Sequence, residues 1–376
     1  MKIAFGIGEF SGDIFAASLI KYIKSNYPDI QIIGITGPNC FKQGLFSKFN
    51  ISSLSKRGFF EVLFNLRKLT KFRSEFLHYL YAEKPDIYIG IDAPDFNFYI
   101  EKKLKSKHVK VFHFVCPSVW AWRSSRIKKF NSYFDHLFTI FFHEKNFLKT
   151  FGYKSHTYVG HPLANEIPFK PNYKKSLDKL KIDHKGKIIA LLPGSRNSEV
   201  LWNTEVLIQT AENVTKKYNN LLFLIPVTSK DNLIFINKKI YDLNLQNIKT
   251  IHGHSHDILN VSDVAIIASG TATLEAVFYK TPLVVFYKLS SISYWLFKIL
   301  LRSKFISLPN ILSGKSIVPE LIHKKANVDN ISNEIERLLN QSALRKKQTE
   351  EFKKIHKMHM LNTNELICKK IFSKCI

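Results

Sequence analysis

Short apolar runs alternate with amphipathic stretches along the whole chain. Positions 3–7, 31–35, 86–91, 110–115, 136–141 and 156–159 read as strands of the first half, and 187–192, 221–226, 248–251, 264–268 and 283–286 as strands of the second. Continuous runs such as Ile188 to Leu192 are the pattern of parallel strands covered on both faces. Between them lie helical patterns, the longest at 58–82, where Phe59, Val62, Leu63, Leu66, Leu69, Phe72, Phe76 and Leu80 recur at helical spacing. Strand and helix in alternation predict an α/β chain with two doubly wound sheets. Pro168, Pro171 and a run of Lys and Asp up to Gly186 interrupt it. The expected domains are therefore 1–170 and 171–376, the second carrying the C-terminal helices.

Length agrees, because 376 residues exceed one ordinary core. The stretch nearest to a membrane span, 292–301, is interrupted by Lys298, and the chain enters a strand without the features of a signal peptide, so a cytoplasmic location is expected. Cys40, Cys116, Cys368 and Cys375 show no paired spacing, and neither disulfides nor a thiolate metal site is expected. His252, His254 and His256 alternate in a glycine-containing loop without an adjacent acidic or thiol ligand, and are not read as a metal site. No metal or cofactor is assigned. Charge changes the picture more: 56 Lys+Arg against 30 Asp+Glu leave +26, a field that attracts nucleic acid, anionic lipid or phosphorylated substrates. A compositional drift toward lysine also produces such an excess. There is no nucleic-acid recognition motif, so nucleic acid is not expected as a partner.

Candidate chemistry sits where strands end. After 187–192, Pro193-Gly194 stops the strand and Ser195 or Asn197 can cap the following helix, so free N–H groups meet Arg196 in an arrangement suited to phosphate. An ordinary strand-to-helix turn with a solvated arginine is the plain alternative. After 3–7, Gly6, Gly8 and Gly12 miss the dinucleotide spacing, Glu9 would face a pyrophosphate, and no acidic ribose ligand closes the second strand. This loop, with Ser11 or Asp13 as cap, favours sugar hydroxyls. After 86–91 come Asp92 and Asp95; Asp95 or Asn97 can cap a helix, whereas Asp92 precedes a two-residue step into Pro94 with no such duty and is the candidate general base. Ser269-Gly270-Thr271 opens a helix with N–H groups and hydroxyls available for a diphosphate. Glu275, one turn in, either binds ribose hydroxyls or is solvated while Thr271 caps. Trp120, Trp122 and Arg123, with Phe59 and Phe72 on the long helix, form aromatic and basic stretches that suit either a membrane interface or packing.

Five motifs occur in one order: Gly8 to Asp13, Gly90 to Asn97, Pro117 to Arg123, Leu191 to Arg196 followed by Glu199, and Ala268 to Glu275. Together they resemble the lipid A disaccharide synthase family over nearly the whole chain. The resemblance implies a GT-B fold, two Rossmann-like domains facing across a cleft with the UDP donor on the second. It implies an inverting transfer of 2,3-diacylglucosamine from UDP-2,3-diacylglucosamine to the 6-hydroxyl of 2,3-diacylglucosamine 1-phosphate (lipid X). Asp92 would be the base and Arg196 would hold the leaving UDP or the acceptor phosphate. Gly194, Ser195, Ser269, Gly270 and Thr271 would line phosphates, Glu275 would hold ribose, Glu9 and Ser11 would face sugar, and Asn310 would line the cleft. Phe59, Phe72, Trp120, Trp122 and Arg123 would face acyl chains or the anionic inner leaflet, making the protein peripheral on the cytoplasmic face of the inner membrane. A homodimer is compatible with this reading, although nothing local selects it. Three departures stand out: Phe142-His143-Glu144 in place of Pro-Phe-Glu, Asn165 in place of an aspartate, and Lys288 in place of an arginine. The alternatives are another UDP-sugar enzyme of this fold, or a non-catalytic basic protein that binds membrane surfaces.

Overall fold

The structure is a computed structural model that describes residues 1–53, 62–122, 124–194, 196–288, 294–295 and 303–373, with backbone alone for 62–66. Its described residues form two compact units, Met1–Asn165 with His359–Ile376, and Glu166–Met358.

The first unit holds a parallel sheet of β1 (Lys2–Ile7), β2 (Gln31–Gly34), β3 (Ile87–Ile91), β4 (Lys110–Phe114), β5 (His136–Thr139) and β6 (His156–Tyr158). Their spatial order is β2-β1-β3-β4-β5-β6. The chain winds in one direction from β1 to β2, then returns past β1 to continue from β3. The carboxyl ends of β1 and β3 therefore flank the switch point, where open α/β sheets bind ligands. In register, Gly6 lies beside Gly90 and Ile7 beside Ile91.

The second unit holds β7 (Lys187–Leu192), β8 (Leu221–Val227), β9 (Ile248–His252), β10 (Val264–Ala268), β11 (Leu283–Tyr287) and β12 (Glu320–Ile322) in the order β12-β11-β10-β7-β8-β9, all parallel. Its switch point lies between β7 and β10. Both sheets are apolar on both faces: Phe5, Phe112 and Phe114 are fully buried in the first, as are Phe223 and Phe286 in the second. That double burial is why these strands read as continuous apolar runs instead of alternating ones.

Two boundaries differ from expectation. The division falls between Asn165 and Glu166, not at 170/171, and the C-terminal helix Thr363–Phe372 belongs to the first unit. Ile367, Cys368, Ile371 and Phe372 complete the first core, the Phe372 ring meets Tyr27 at 4.4 Å, and Asn364 Nδ2 donates to the Ser18 carbonyl and hydroxyl. An amphipathic helix follows the apolar surface available to it, and sequence order does not say whose surface that is. Strand β12 had not been expected. Its three half-buried residues are too few to show a period.

Candidate functional site

At the first switch point the loops after β1 and β3 touch. A Cβ on Gly8 would stand 2.3 Å from the Ala93 Cβ, so a side chain there would push the two loops apart. Asp92 and Ala93 both occupy the left-handed region, with φ of +52° and +44°, which costs roughly 1–2 kcal/mol per residue. The neighbourhood holds them there. The Asp92 N–H donates to the Phe114 carbonyl at 2.9 Å, and Asn97 Nδ2 lies within reach of the carbonyls of Asp92 (2.8 Å), Gly6 (3.2 Å) and Ile91 (3.3 Å). Tyr88, fully buried, fixes that amide by donating to Asn97 Oδ1 at 2.8 Å. Asn97 thus ties the ends of β1 and β3 together from within the core and does not cap its helix.

Burial pushes the Asp92 carboxyl above the usual carboxylate range, opposed by the Ala93 N–H, by His113 and by a hydrogen bond from the Ser11 hydroxyl. Asp95 differs in kind. Its side chain is 82% exposed and pairs with Arg126 at 3.1 Å. Solvent separates the two aspartates: Asp92, the candidate base in sequence, is desolvated beside a serine, and Asp95 is a surface ion pair. Glu9 is the N-cap residue of the helix Phe10–Asn26, exposed at the loop's edge. Neither Ser11 nor Asp13 caps that helix. The Asp13 carboxylate, buried, accepts instead from the N–H groups of Asn39 and Cys40 and from Asn39 Nδ2, serving the start of the neighbouring helix Pro38–Lys42.

Behind Asp92 lies a buried titratable group quoted in the sequence only as a departure. Glu144 accepts from the N–H groups of Ile140 and Phe141, and burial pushes its pKa up to about 8, with the Asp92 charge adding to the rise. The Trp120 indole N–H faces this carboxyl and lowers its pKa somewhat, without a direct hydrogen bond of normal geometry. His143 packs edge-on against Trp120 at 4.8 Å, and desolvation lowers it to about 4. Trp120 is thereby half-buried against His143, a correction to its assignment to a lipid-facing surface; Trp122, 40% exposed, remains open to that role. Phe72 is corrected likewise: its ring meets Phe49 at 5.6 Å and Phe96 at 6.2 Å in the first core. Phe59 and Arg123 lie outside the described residues, as does Ser195.

In the second unit, the strand β7 ends at Pro193-Gly194. Gly194 has φ +120°, and a Cβ there would meet the Glu199 carboxylate oxygen at 2.5 Å. The helix Asn197–Thr215 begins on Arg196, whose N–H donates to Glu199 Oε2 at 3.2 Å; Asn197 is already the first helical residue and supplies no cap. Arg196 Nη1 pairs with Glu199 Oε1 at 3.0 Å while its side chain stays 76% exposed. The guanidinium is anchored at one edge and open at the other. Beside β7, the strand β10 delivers Ser269-Gly270-Thr271, whose Gly270 and Thr271 are exposed at the start of the helix Ala272–Tyr279. Gly270 has φ +155° and open space above it; the Ser269 N–H is taken by the Phe286 carbonyl at 3.0 Å, which leaves the N–H groups of Gly270 and Thr271 as the backbone donors of this turn. Thr271 makes no side-chain cap.

Glu275 is neither free nor fully solvated. His256 Nε2 stands 3.5 Å from Glu275 Oε2, and that carboxylate raises the His256 pKa against the opposing effect of burial. Sequence reasoning had set His256 aside with the metal question, and only the fold brings it to Glu275. Asn310 requires a correction. It is fully buried, its Nδ2 donates to the Val318 carbonyl (3.0 Å) and Glu320 Oε1 (2.8 Å), and its Oδ1 accepts from the N–H groups of Ile317 (2.7 Å) and Val318 (2.9 Å). With every polar atom engaged inside the fold, it lines no substrate surface. Among the described residues, no group of His, Cys, Asp or Glu could hold a metal ion, and no helix is long and apolar enough to cross a membrane.

The family model described as lipid-A-disaccharide synthetase matches residues 3–371. The chain belongs to the lipid-A-disaccharide synthetase family. It is an enzyme, a glycosyltransferase of lipid A biosynthesis. The lipid-A-disaccharide synthase of Methylobacillus flagellatus is 34% identical over 371 residues, covering 97% of each chain, and that of Aeromonas hydrophila 38% over 339 residues, covering 89% of this chain and 88% of its own. Among solved structures, a UDP-GlcNAc 2-epimerase from Neisseria meningitidis bound to UDP-GlcNAc superposes with TM-score 0.68 at 15% identity, covering 99% of this chain and 100% of its own. A glycosyltransferase from Rickettsia africae superposes with TM-score 0.59 at 14% identity, covering 99% of this chain and 97% of its own. At such identities the likeness concerns fold alone, the GT-B architecture, which the lipid-A-disaccharide synthetase family thus shares with epimerases.

Proposed function

We propose that this enzyme transfers 2,3-diacylglucosamine from UDP-2,3-diacylglucosamine to the 6-hydroxyl of 2,3-diacylglucosamine 1-phosphate, with inversion at the anomeric carbon and release of UDP. The observation that carries the proposal is the position of the candidate groups: in each unit they lie at the two strand-to-helix junctions flanking a switch point, Ser11 and Asp92 in one, Arg196 and Ser269 to Thr271 in the other. Asp92 takes the proton from the acceptor hydroxyl, a step worth about 10²- to 10⁴-fold in rate. Its raised pKa supports this role, because a base nearer the working pH accepts the proton more readily. Inversion requires one such base and no covalent partner. Arg196 and the helix start beyond Gly194 stabilise the departing diphosphate, Ser269, Gly270 and Thr271 supply further donors to it, and Glu275 receives the ribose hydroxyls. Glu9 and Ser11 contact the sugar.

Both substrates carry acyl chains, and the protein docks at the cytoplasmic face of the inner membrane through Trp122 and surface lysines, each contributing roughly 1 kcal/mol near an anionic leaflet. The C-terminal helices permit a homodimer. UDP release from purified enzyme in detergent tests the reaction, with the diacylated donor and acceptor run beside UDP-GlcNAc and beside Asp92→Asn. Release that needs both acylated substrates and falls at least a hundredfold in the variant is expected. The fold shared with UDP-GlcNAc 2-epimerases favours one other reading, and turnover of UDP-GlcNAc without an acceptor would establish it in place of the synthase.

A further inference from the structure

The edge strand β6 and the helix Phe142–Thr150 enclose a pocket of about 380 Å³ lined by Lys145, Lys149, Lys154, His156, Thr157 and Tyr158. It lies three strand steps from β3, roughly 14 Å across the sheet from the switch point. Lys145 and Lys149, four residues apart, share one helix face, where like charges repel. Among the described residues none of the three lysines has an ion-pair partner. Between them His156 has a buried Nδ1 without a hydrogen-bond partner. Burial lowers its pKa, and Lys149 and Lys145 lower it further. Three unpaired cations lining one pocket beside a histidine with an unsatisfied ring nitrogen, with no carboxylate among the lining residues, form a site whose missing component is an anion.

We propose that this pocket binds a phosphate-bearing group, through the three ammonium groups as point charges and His156 as a hydrogen-bond donor once the anion is seated. The site is independent of the reading given for Asp92 and Arg196. An isolated phosphate and a phospholipid headgroup offer the same chemistry. Each lysine contributes about fivefold to affinity at contact distance in a solvated pocket.

The test uses the full chain with histidine rings isotopically labelled, the His156 resonance being assigned by its absence in His156→Gln. Inorganic phosphate is titrated in one arm; phosphatidylcholine vesicles with and without phosphatidylglycerol are used in the other, with Lys145→Gln/Lys149→Gln beside the parent protein. Phosphate is expected to shift the His156 resonance in the parent and to need more than tenfold higher concentration in the double variant, while UDP release in detergent is unchanged. A matching loss of phosphatidylglycerol-dependent vesicle binding assigns the site to a lipid headgroup; unaltered vesicle binding assigns it to a soluble phosphate. A His156 resonance indifferent to phosphate, or equal shifts in the double variant, overturns the proposal. Melting temperatures of parent and variant, expected to agree because Lys149 is exposed and Lys145 half-buried, guard against misfolding. Loss of UDP release with the His156 shift intact would instead count against the synthase reading alone.

Discussion

Ser11→Ala offers the sharpest test of Asp92 as the proposed base at the first switch point. The Ser11 hydroxyl donates to the Asp92 carboxylate, and burial of Asp92 opposes the charged form. A hydrogen bond to a charged group contributes roughly 1.5–3 kcal/mol, and one pKa unit corresponds to about 1.4 kcal/mol. Since Asp92 is half-buried, the lower figure applies, and removing the hydroxyl should raise its pKa by about one unit. The sign follows from which form is stabilised: the serine favours the carboxylate, so its loss favours the protonated acid. A base must be deprotonated, so the acidic limb of kcat/KM moves to higher pH by about one unit. Well above that limb the pKa change no longer matters, and loss of the proposed Ser11 contact to the sugar shows as a pH-independent fall in kcat/KM. The assay is UDP release across pH 4 to 9 for the parent, Ser11→Ala and Ser11→Thr, which restores a donor at this position. An acidic limb that stays in place in Ser11→Ala, or one that moves equally in Ser11→Thr, would refute the account of Asp92 as a base tuned by this contact.

Glu275→Ala should weaken UDP binding by about tenfold in calorimetry, with His256 titrating at lower pH once its partner is gone; unaltered UDP affinity would leave Glu275 as a structural partner of His256. Asn310→Ala strands the N–H groups of Ile317 and Val318, while Glu320 keeps its donors from Ile306 and Ser307, so a loss of roughly 2–4 kcal/mol in unfolding free energy is expected; full stability with lost turnover would return Asn310 to the substrate. Glu144 holds its proton up to about pH 8 in the fold but only to an ordinary carboxyl value of 4.5 when unfolded, so its contribution is complete below pH 4.5 and is lost as pH rises toward 8. Glu144→Gln should flatten that decline in melting temperature, and an unchanged slope would contradict a buried, protonated Glu144. For His161, lowered to about 3 by burial, the sign reverses: its contribution is present above pH 6.5 and is lost as pH falls toward 3, so His161→Phe should soften acid unfolding.

The strands were legible because the information lies in consecutive residues. A doubly covered parallel strand must be apolar at every position, and Lys187–Leu192 and Val264–Ala268 were read at their observed limits for that reason. The turns that follow were legible too, since Gly194 and Gly270 mark backbone that other residues adopt only with strain. So the amino-acid order alone determined two α/β halves and the turns at their switch points. What it did not contain was partnership across the sheet. The strand order brought Ser11 to Asp92, left Asp95 on a surface arginine, and turned Asp13 into a cap for a neighbouring helix. It spent every polar atom of Asn310 on β12 and the turn before it, seated Trp120 against His143, and returned the last helix to the first core. Each outcome depends on contacts between residues far apart in the chain, where desolvation and hydrogen-bond geometry, not residue type, fix what a side chain can do.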